Sequence, residues 1–183
     1  GLFSNDDPLR VVFGANVTEA LNLALTGLLR PGDNVLTSSM EHNSMMRPLR
    51  ELERSGVEVT VVPASSQGMY NPDDMEKHIK KNTKCIAINH ASNVTGTIAP
   101  IQEIGAIARK HGLLVLIDAA QSAGAIEINM QGDNIDLLAF TGHKSLYGPM
   151  GTGGLVIGER CDITKLRPLK RGGTGSRSQH EDQ

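Results

Sequence analysis

Apolar residues recur at helical spacing first at Val17, Leu21, Leu25 and Leu28, which predicts a helix over 17–29. Pro31-Gly32-Asp33 ends it, and a short strand follows at 34–38. Met45, Leu49 and Leu52 mark a second helix that stops near Gly56, with Pro48 expected in its first turns or at a kink. Residues 57–62 read as a β-branched strand. Asn71-Pro72-Asp73-Asp74 opens a short helix with its acids at the positive end of the helix dipole. Residues 85–89 form the next strand. Pro100 then starts a helix carrying Ile101, Ile104 and Ile107, which Gly112 ends. Leu113 to Ile117 is a pure apolar run, as expected of a strand covered on both faces. Two more strands are expected at 135–140 and 153–157.

This alternation predicts an α/β fold of three layers, αβα, around a mostly parallel sheet. Such sheets bind ligands beyond the carboxyl ends of their strands. That rule points at Asn93, Asp118 and the turn from Thr141 to Lys144.

Composition narrows the field. A chain of 183 residues suits one domain, and 39% hydrophobic with 21% charged residues excludes disordered and fibrous classes. A net charge of −2 gives no case for nucleic acid or an anionic membrane. No apolar run approaches the roughly 18 residues of a membrane span, and no signal peptide is visible. Cys85 and Cys161 make neither a disulfide framework nor a zinc spacing, so a cytoplasmic setting and no metal are expected. The opening at Gly1 and the polar run from Gly172 suggest a piece of a longer protein. The expected division is one domain over 1–171 and a polar tail, or the start of a truncated segment, over 172–183.

Three places carry candidate chemistry. Gly14-Ala15-Asn16-Val17-Thr18-Glu19 precedes the first helix, where free N–H groups attract anions and Thr18 adds a hydroxyl. Taken alone, an ordinary N-cap threonine is the simpler account of Thr18. Asp118 ends an apolar strand, where a carboxylate must be paired or functional. Taken alone, it is equally well a satisfied acid in a turn. Lys144 follows another apolar strand within the glycine-rich Thr141-Gly142-His143-Lys144-Ser145-Leu146-Tyr147-Gly148. A solvated surface charge explains it poorly, whereas a Schiff-base lysine must spend time neutral and benefits from desolvation. Bringing such a pKa from about 10.4 to about 7 takes roughly 4–5 kcal/mol. A nucleotide-binding Gly-Lys loop, a dinucleotide fingerprint, a nucleophile elbow and zinc-ligand histidines are all missing.

The segments Val17-Thr18-Glu19-Ala20, Glu41-His42-Asn43, His90-Ala91-Ser92-Asn93-Val94-Thr95-Gly96, Asp118-Ala119-Ala120-Gln121 and Thr141-Gly142-His143-Lys144 together resemble the class V aminotransferases, most closely the cysteine desulfurase branch. The resemblance runs from about Val11 to Gly175. It implies the large domain of a fold type I pyridoxal-phosphate enzyme. Lys144 would hold the cofactor and move protons. Asp118 would pair with the pyridine nitrogen, and His42 would lie over the ring. Gln121 and Asn93 would contact the ring hydroxyl. Thr18, Thr141, His143 and the N–H of Val17, where many relatives carry a second hydroxyl, would hold the phosphate. It further implies L-cysteine as substrate, a homodimer whose partner's phosphate the Gly172–Gly175 turn would reach, and a sulfur-acceptor protein. The arginine for the substrate carboxylate and the persulfide cysteine would lie in a small domain outside this chain. A transaminase, a selenocysteine lyase, an epimerase-like enzyme or a non-catalytic cofactor-binding fragment would share the same residues.

Overall fold

In the computed structural model, which describes residues 3, 4 and 7–172, the strand and helix patterns become β1 (Val11–Gly14), α1 (Val17–Leu28), β2 (Asn34–Ser38), α2 (Asn43–Arg54), β3 (Glu58–Val62), α3 (Pro72–Lys77), β4 (Thr83–Asn89), α4 (Ile101–Lys110), β5 (Leu114–Asp118), β6 (Leu137–Thr141) and β7 (Gly153–Ile157). The seven strands form one sheet in the order β1-β7-β6-β5-β4-β2-β3. β3, β2, β4, β5 and β6 pair in parallel, while β7 runs antiparallel to both β6 and β1. The mostly parallel α/β sheet expected from the alternation is therefore present.

The two-residue period of each strand sorts its side chains into two cores. Ile86, Ile88, Val115, Ile117 and Leu138 face Met75 of α3 and Ile101 and Ile104 of α4. Ala87, Leu116, Leu137 and Ala139 face Leu21 and Leu25 of α1 and Met45 and Leu49 of α2. Three layers result. Leu21, Leu25 and Leu49 are fully buried, each burial worth about 1.5–3 kcal/mol relative to exposure.

Some boundaries differ from the sequence pattern for physical reasons. β1 was not expected: its four residues show no buried alternation, and Val12 and Phe13 are exposed on a sheet edge. Pairing with β7 makes it a strand. β5 runs one residue past its apolar stretch, so Asp118 is its last strand residue. Pro48 lies inside α2 and is buried against the sheet side of the helix. The tail expected over 172–183 and the Gly172–Gly175 turn lie, past Gly172, outside the described residues. Among those described, no helix is long and apolar enough to cross a membrane.

Candidate active site

Strand alternation sets the floor of the site. Asn89, Asp118 and Thr141 take the last positions of three neighbouring parallel strands, two residues beyond Ala87, Leu116 and Ala139 on the α1/α2 face. Asn89 is the register partner of Asp118, and Thr141 that of Gly153. Asp118 is 3% exposed. Its Oδ1 accepts the Ala120 N–H at 2.9 Å, and its Oδ2 lies 3.4 Å from Ser44 Oγ. Burial pushes its pKa up, opposed by the Ala120 N–H and by the charges of Lys144 and His42.

The start of α1 forms one wall. The Asn16 side chain caps the Glu19 N–H at 3.0 Å. That leaves the Val17 and Thr18 N–H groups without a hydrogen-bond partner among the described residues. The Val17 side chain is packed into the core, so only its N–H is on offer. This helix start reaches the sheet because position 153 is glycine: a Cβ there would come within 2.7 Å of Asn16 Cα and of Phe140 O.

The Lys144 turn forms the opposite wall. Gly142 N–H donates to Thr152 O at 2.8 Å, Gly148 N–H to Gly142 O at 2.7 Å, and Tyr147 N–H to Lys144 O at 2.9 Å. A Cβ on Gly142 would stand 2.2 Å from Thr152 Oγ1, so a side chain there would displace the hydroxyl that donates to Pro149 O at 2.6 Å. Thr141 Oγ1 and His143 Nδ1 are hydrogen-bonded at 3.0 Å. Lys144 and His143 are exposed. The desolvated lysine expected from the strand-and-turn pattern is not what these residues build by themselves, because the turn opens onto a cavity rather than into the core.

Behind the floor lies a polar cluster that the sequence reading did not single out. Tyr70 OH donates to Asn89 Oδ1 at 2.6 Å, and Asn89 Nδ2 donates to Met40 O at 2.7 Å. Glu41 Oε1 accepts from Ser38 Oγ at 2.5 Å, while its Oε2 is buried without a partner. Burial, with Asp118 nearby, raises the Glu41 pKa to about 8, although the Ser38 hydroxyl pulls it down.

One cavity of about 270 Å³ is lined by Val17, Thr18, His42, Asn93, Asp118, Gln121, Thr141, His143 and Lys144. Every residue singled out from the sequence therefore meets the same space. Asn93 and Gln121 border it with no hydrogen bond to another described residue. Asn16, Ser44 and Asn89 line it too and were missed. Asn89 was legible in principle, since it ends an apolar strand just as Asp118 does. Ser44 was not, because a serine in the first turn of a helix has an ordinary capping explanation. The donor set fits pyridoxal phosphate: unpaired N–H groups and hydroxyls suit an anion, a buried carboxylate suits a protonated ring nitrogen, and an amine is at hand for an aldehyde.

A family profile described as aminotransferase class-V matches residues 2–182. Cysteine desulfurase IscS of Dictyoglomus turgidum is 38% identical over 168 residues, covering 90% of this chain. The chain spans 42% of that relative's length. The apo structure of a cysteine desulfurase from Thermococcus onnurineus NA1 superposes with a TM-score of 0.83 at 37% identity, covering 90% of this chain and 42% of the other. A C-DES mutant with glycine covalently linked to its pyridoxal-phosphate cofactor superposes with a TM-score of 0.84 at 29% identity, covering 93% of this chain and 46% of the other.

Proposed function

Because the chain belongs to the class V aminotransferases, we propose that it is the cofactor-binding part of a cysteine desulfurase that holds pyridoxal phosphate in the cavity between α1, β5 and the Lys144 turn. The observation that carries this reading is the meeting of Asp118, Lys144 and the start of α1 around one cavity. When bound, the cofactor supplies an electron sink for a substrate amino acid.

The chain's own residues divide the remaining work. The Val17 and Thr18 N–H groups, the hydroxyls of Thr18 and Thr141, and His143 bind the phosphate. Asp118 accepts from the ring nitrogen and keeps it protonated, which a carboxylate buried among apolar strands does more strongly than one in water. His42 covers the ring face, and Asn93 and Gln121 orient the ring hydroxyl. Lys144 would hold the cofactor through its amine and, once released from it, would move a proton at the substrate carbon. Overall, cysteine and an enzyme thiol give alanine and an enzyme persulfide. The C–S bond of cysteine breaks, an S–S bond forms, and the thiol proton ends on the new methyl group.

The same reading takes the enzyme as a cytoplasmic homodimer that hands its sulfur to an acceptor protein. The two free thiols suit a reducing compartment. Val94, which follows the cavity residue Asn93, and Tyr147 and Met150, in the loop that follows Lys144, are large exposed apolar side chains, as suits a face covered by a second copy.

The test is to incubate the full-length protein with L-cysteine and quantify alanine, sulfide and protein persulfide. Alanine equal to the sulfur released, without any added 2-oxo acid and abolished in Lys144→Ala, is expected. Alanine formed only with a 2-oxo acid would make the enzyme a transaminase, and no turnover would leave a cofactor-binding scaffold.

A further inference from the structure

His42 is the N-cap of α2, and its ring does the capping. The Ser44 backbone N–H donates to His42 Nδ1 at 3.1 Å. A backbone N–H can only donate, so Nδ1 presents its lone pair, and the neutral ring carries its proton on Nε2. Ser44 Oγ lies 2.8 Å from the same nitrogen and 3.4 Å from Asp118 Oδ2. The hydroxyl has one hydrogen, and the shorter contact is to Nδ1. With the hydroxyl hydrogen on the shorter contact, Ser44 meets Nδ1 with both its donors, and it can donate to Asp118 Oδ2 only by turning away from the ring. Ser44 is 6% exposed, so its donors are shielded from water on their own side, while the His42 ring they hold is exposed. No hydrogen bond engages His42 Nε2 among the described residues.

We propose that Ser44 is a positioning residue: its hydroxyl, with its N–H, holds His42 as the Nε2–H tautomer beside the cavity. His42 then meets a bound molecule as a proton donor first. It can accept a proton on Nε2 only after giving that one away. This last consequence rests on the desulfurase reading, whereas the tautomer itself does not.

The tautomer is read directly by 15N NMR of the full-length protein, labelled at histidine and freed of cofactor. A pH of about 8.5 keeps an ordinary imidazole neutral. His42→Asn, which keeps a capping acceptor, identifies the His42 signals by difference. In the wild type, Nδ1 should be pyridine-like and Nε2 pyrrole-like, with Nε2 recognised by its couplings to both ring C–H hydrogens. Ser44→Ala keeps the backbone donor and removes the hydroxyl. The two nitrogen shifts should then move toward each other as the second tautomer becomes populated, and Ser44→Thr should restore their separation. A proton on Nδ1 in the wild type, or an unchanged separation in Ser44→Ala, would overturn the proposal. Because the apo-protein is measured, either result stands apart from which amino acid the loaded enzyme consumes.

Discussion

Asn89 and Asp118 stand opposite each other as register partners at the ends of β4 and β5, yet only one of them is tied down from behind. Asn89 Nδ2 donates to Met40 O and its Oδ1 accepts from Tyr70 OH, which occupies the amide's two ends. Asp118 has one short bond, from Ala120 N–H, and a longer contact to Ser44. In this floor Asn89 acts as a fixed wall, and Asp118 keeps a carboxylate oxygen for a cationic partner. A buried carboxylate with spare acceptor capacity is costly unless such a partner arrives.

Replacing Asp118 by Asn keeps the size and removes the charge. The Ala120 N–H still finds an acceptor, so the strand end should hold its shape. In the full-length enzyme we expect cofactor binding to survive while proton abstraction from the substrate amino acid slows by at least about 10²-fold, the scale of a lost electrostatic contact in a buried site. Single-turnover absorbance kinetics measure this, and a rate equal to wild type would remove Asp118 from the chemistry.

Glu41 makes a pH prediction whose sign follows from its environment. Burial raises its pKa from the ordinary 4.5 to about 8. The folded protein then binds a proton that the unfolded chain has released, between about 4.5 and about 8. Its stabilising contribution is complete below the lower value and is lost as pH rises through the upper one. Glu41→Gln is neutral throughout and should abolish that loss. Thermal denaturation from pH 5 to pH 9 should show the wild-type Tm falling relative to Glu41→Gln as pH rises. Parallel Tm curves would mean that Glu41 is ionised in the fold.

Legibility from sequence followed periodicity. The helices and the parallel strands were readable because each buries one face or both, which writes period 3.6 or an unbroken apolar run into the chain. β1 was not, because an exposed edge strand of four residues, Val11–Gly14, buries no pattern and exists only through pairing with β7. Asp118, Lys144 and Thr18 were visible as polar residues at element ends. The cluster of Glu41, Tyr70 and Asn89 was not, since its members come from three segments that only the folded sheet brings together. The exposure of Lys144 was also hidden, because sequence tells that a turn follows a strand but not which way the turn opens.

Gly153 tests whether the close approach of α1 to the sheet builds the anion-binding wall. A Cβ there meets backbone on two sides, Asn16 Cα and Phe140 O, each at 2.7 Å, and neither can swing away as a side chain would. Gly153→Ala should cost about 1–3 kcal/mol of stability, the range for overpacking. It should also push the start of α1 off the sheet and weaken affinity for pyridoxal phosphate more than for pyridoxal, which lacks the phosphate. Equal weakening of both, measured by fluorescence titration of the full-length apo-protein, would mean that the helix start does not bind the phosphate.

Neither cysteine of this chain should carry the persulfide. A sulfur-accepting thiol must reach the cavity and must form thiolate readily. Cys85 is buried in β4 among the residues of the second core, and burial pushes its pKa far up. Arg160 precedes Cys161, and a neighbouring guanidinium would favour its thiolate. In the fold Arg160 turns away, with NH1 3.4 Å from Asp136 and NH2 donating to Leu113 O at 3.1 Å. Cys161 is 3% exposed, and burial together with the Asp136 charge raises its pKa, against which Arg10 and Lys84 act only in part. It also follows β7 at the end opposite the Thr141–Gly153 pairing that borders the cavity. In the full-length enzyme, Cys161→Ser and Cys85→Ala should therefore keep the rate of alanine formation from cysteine, with Cys85→Ala less stable because a core residue shrinks. Mass spectrometry of the wild type after cysteine treatment should find no persulfide on either residue. A stoichiometric persulfide on Cys161, lost together with turnover in Cys161→Ser, would place the sulfur-accepting step within this chain.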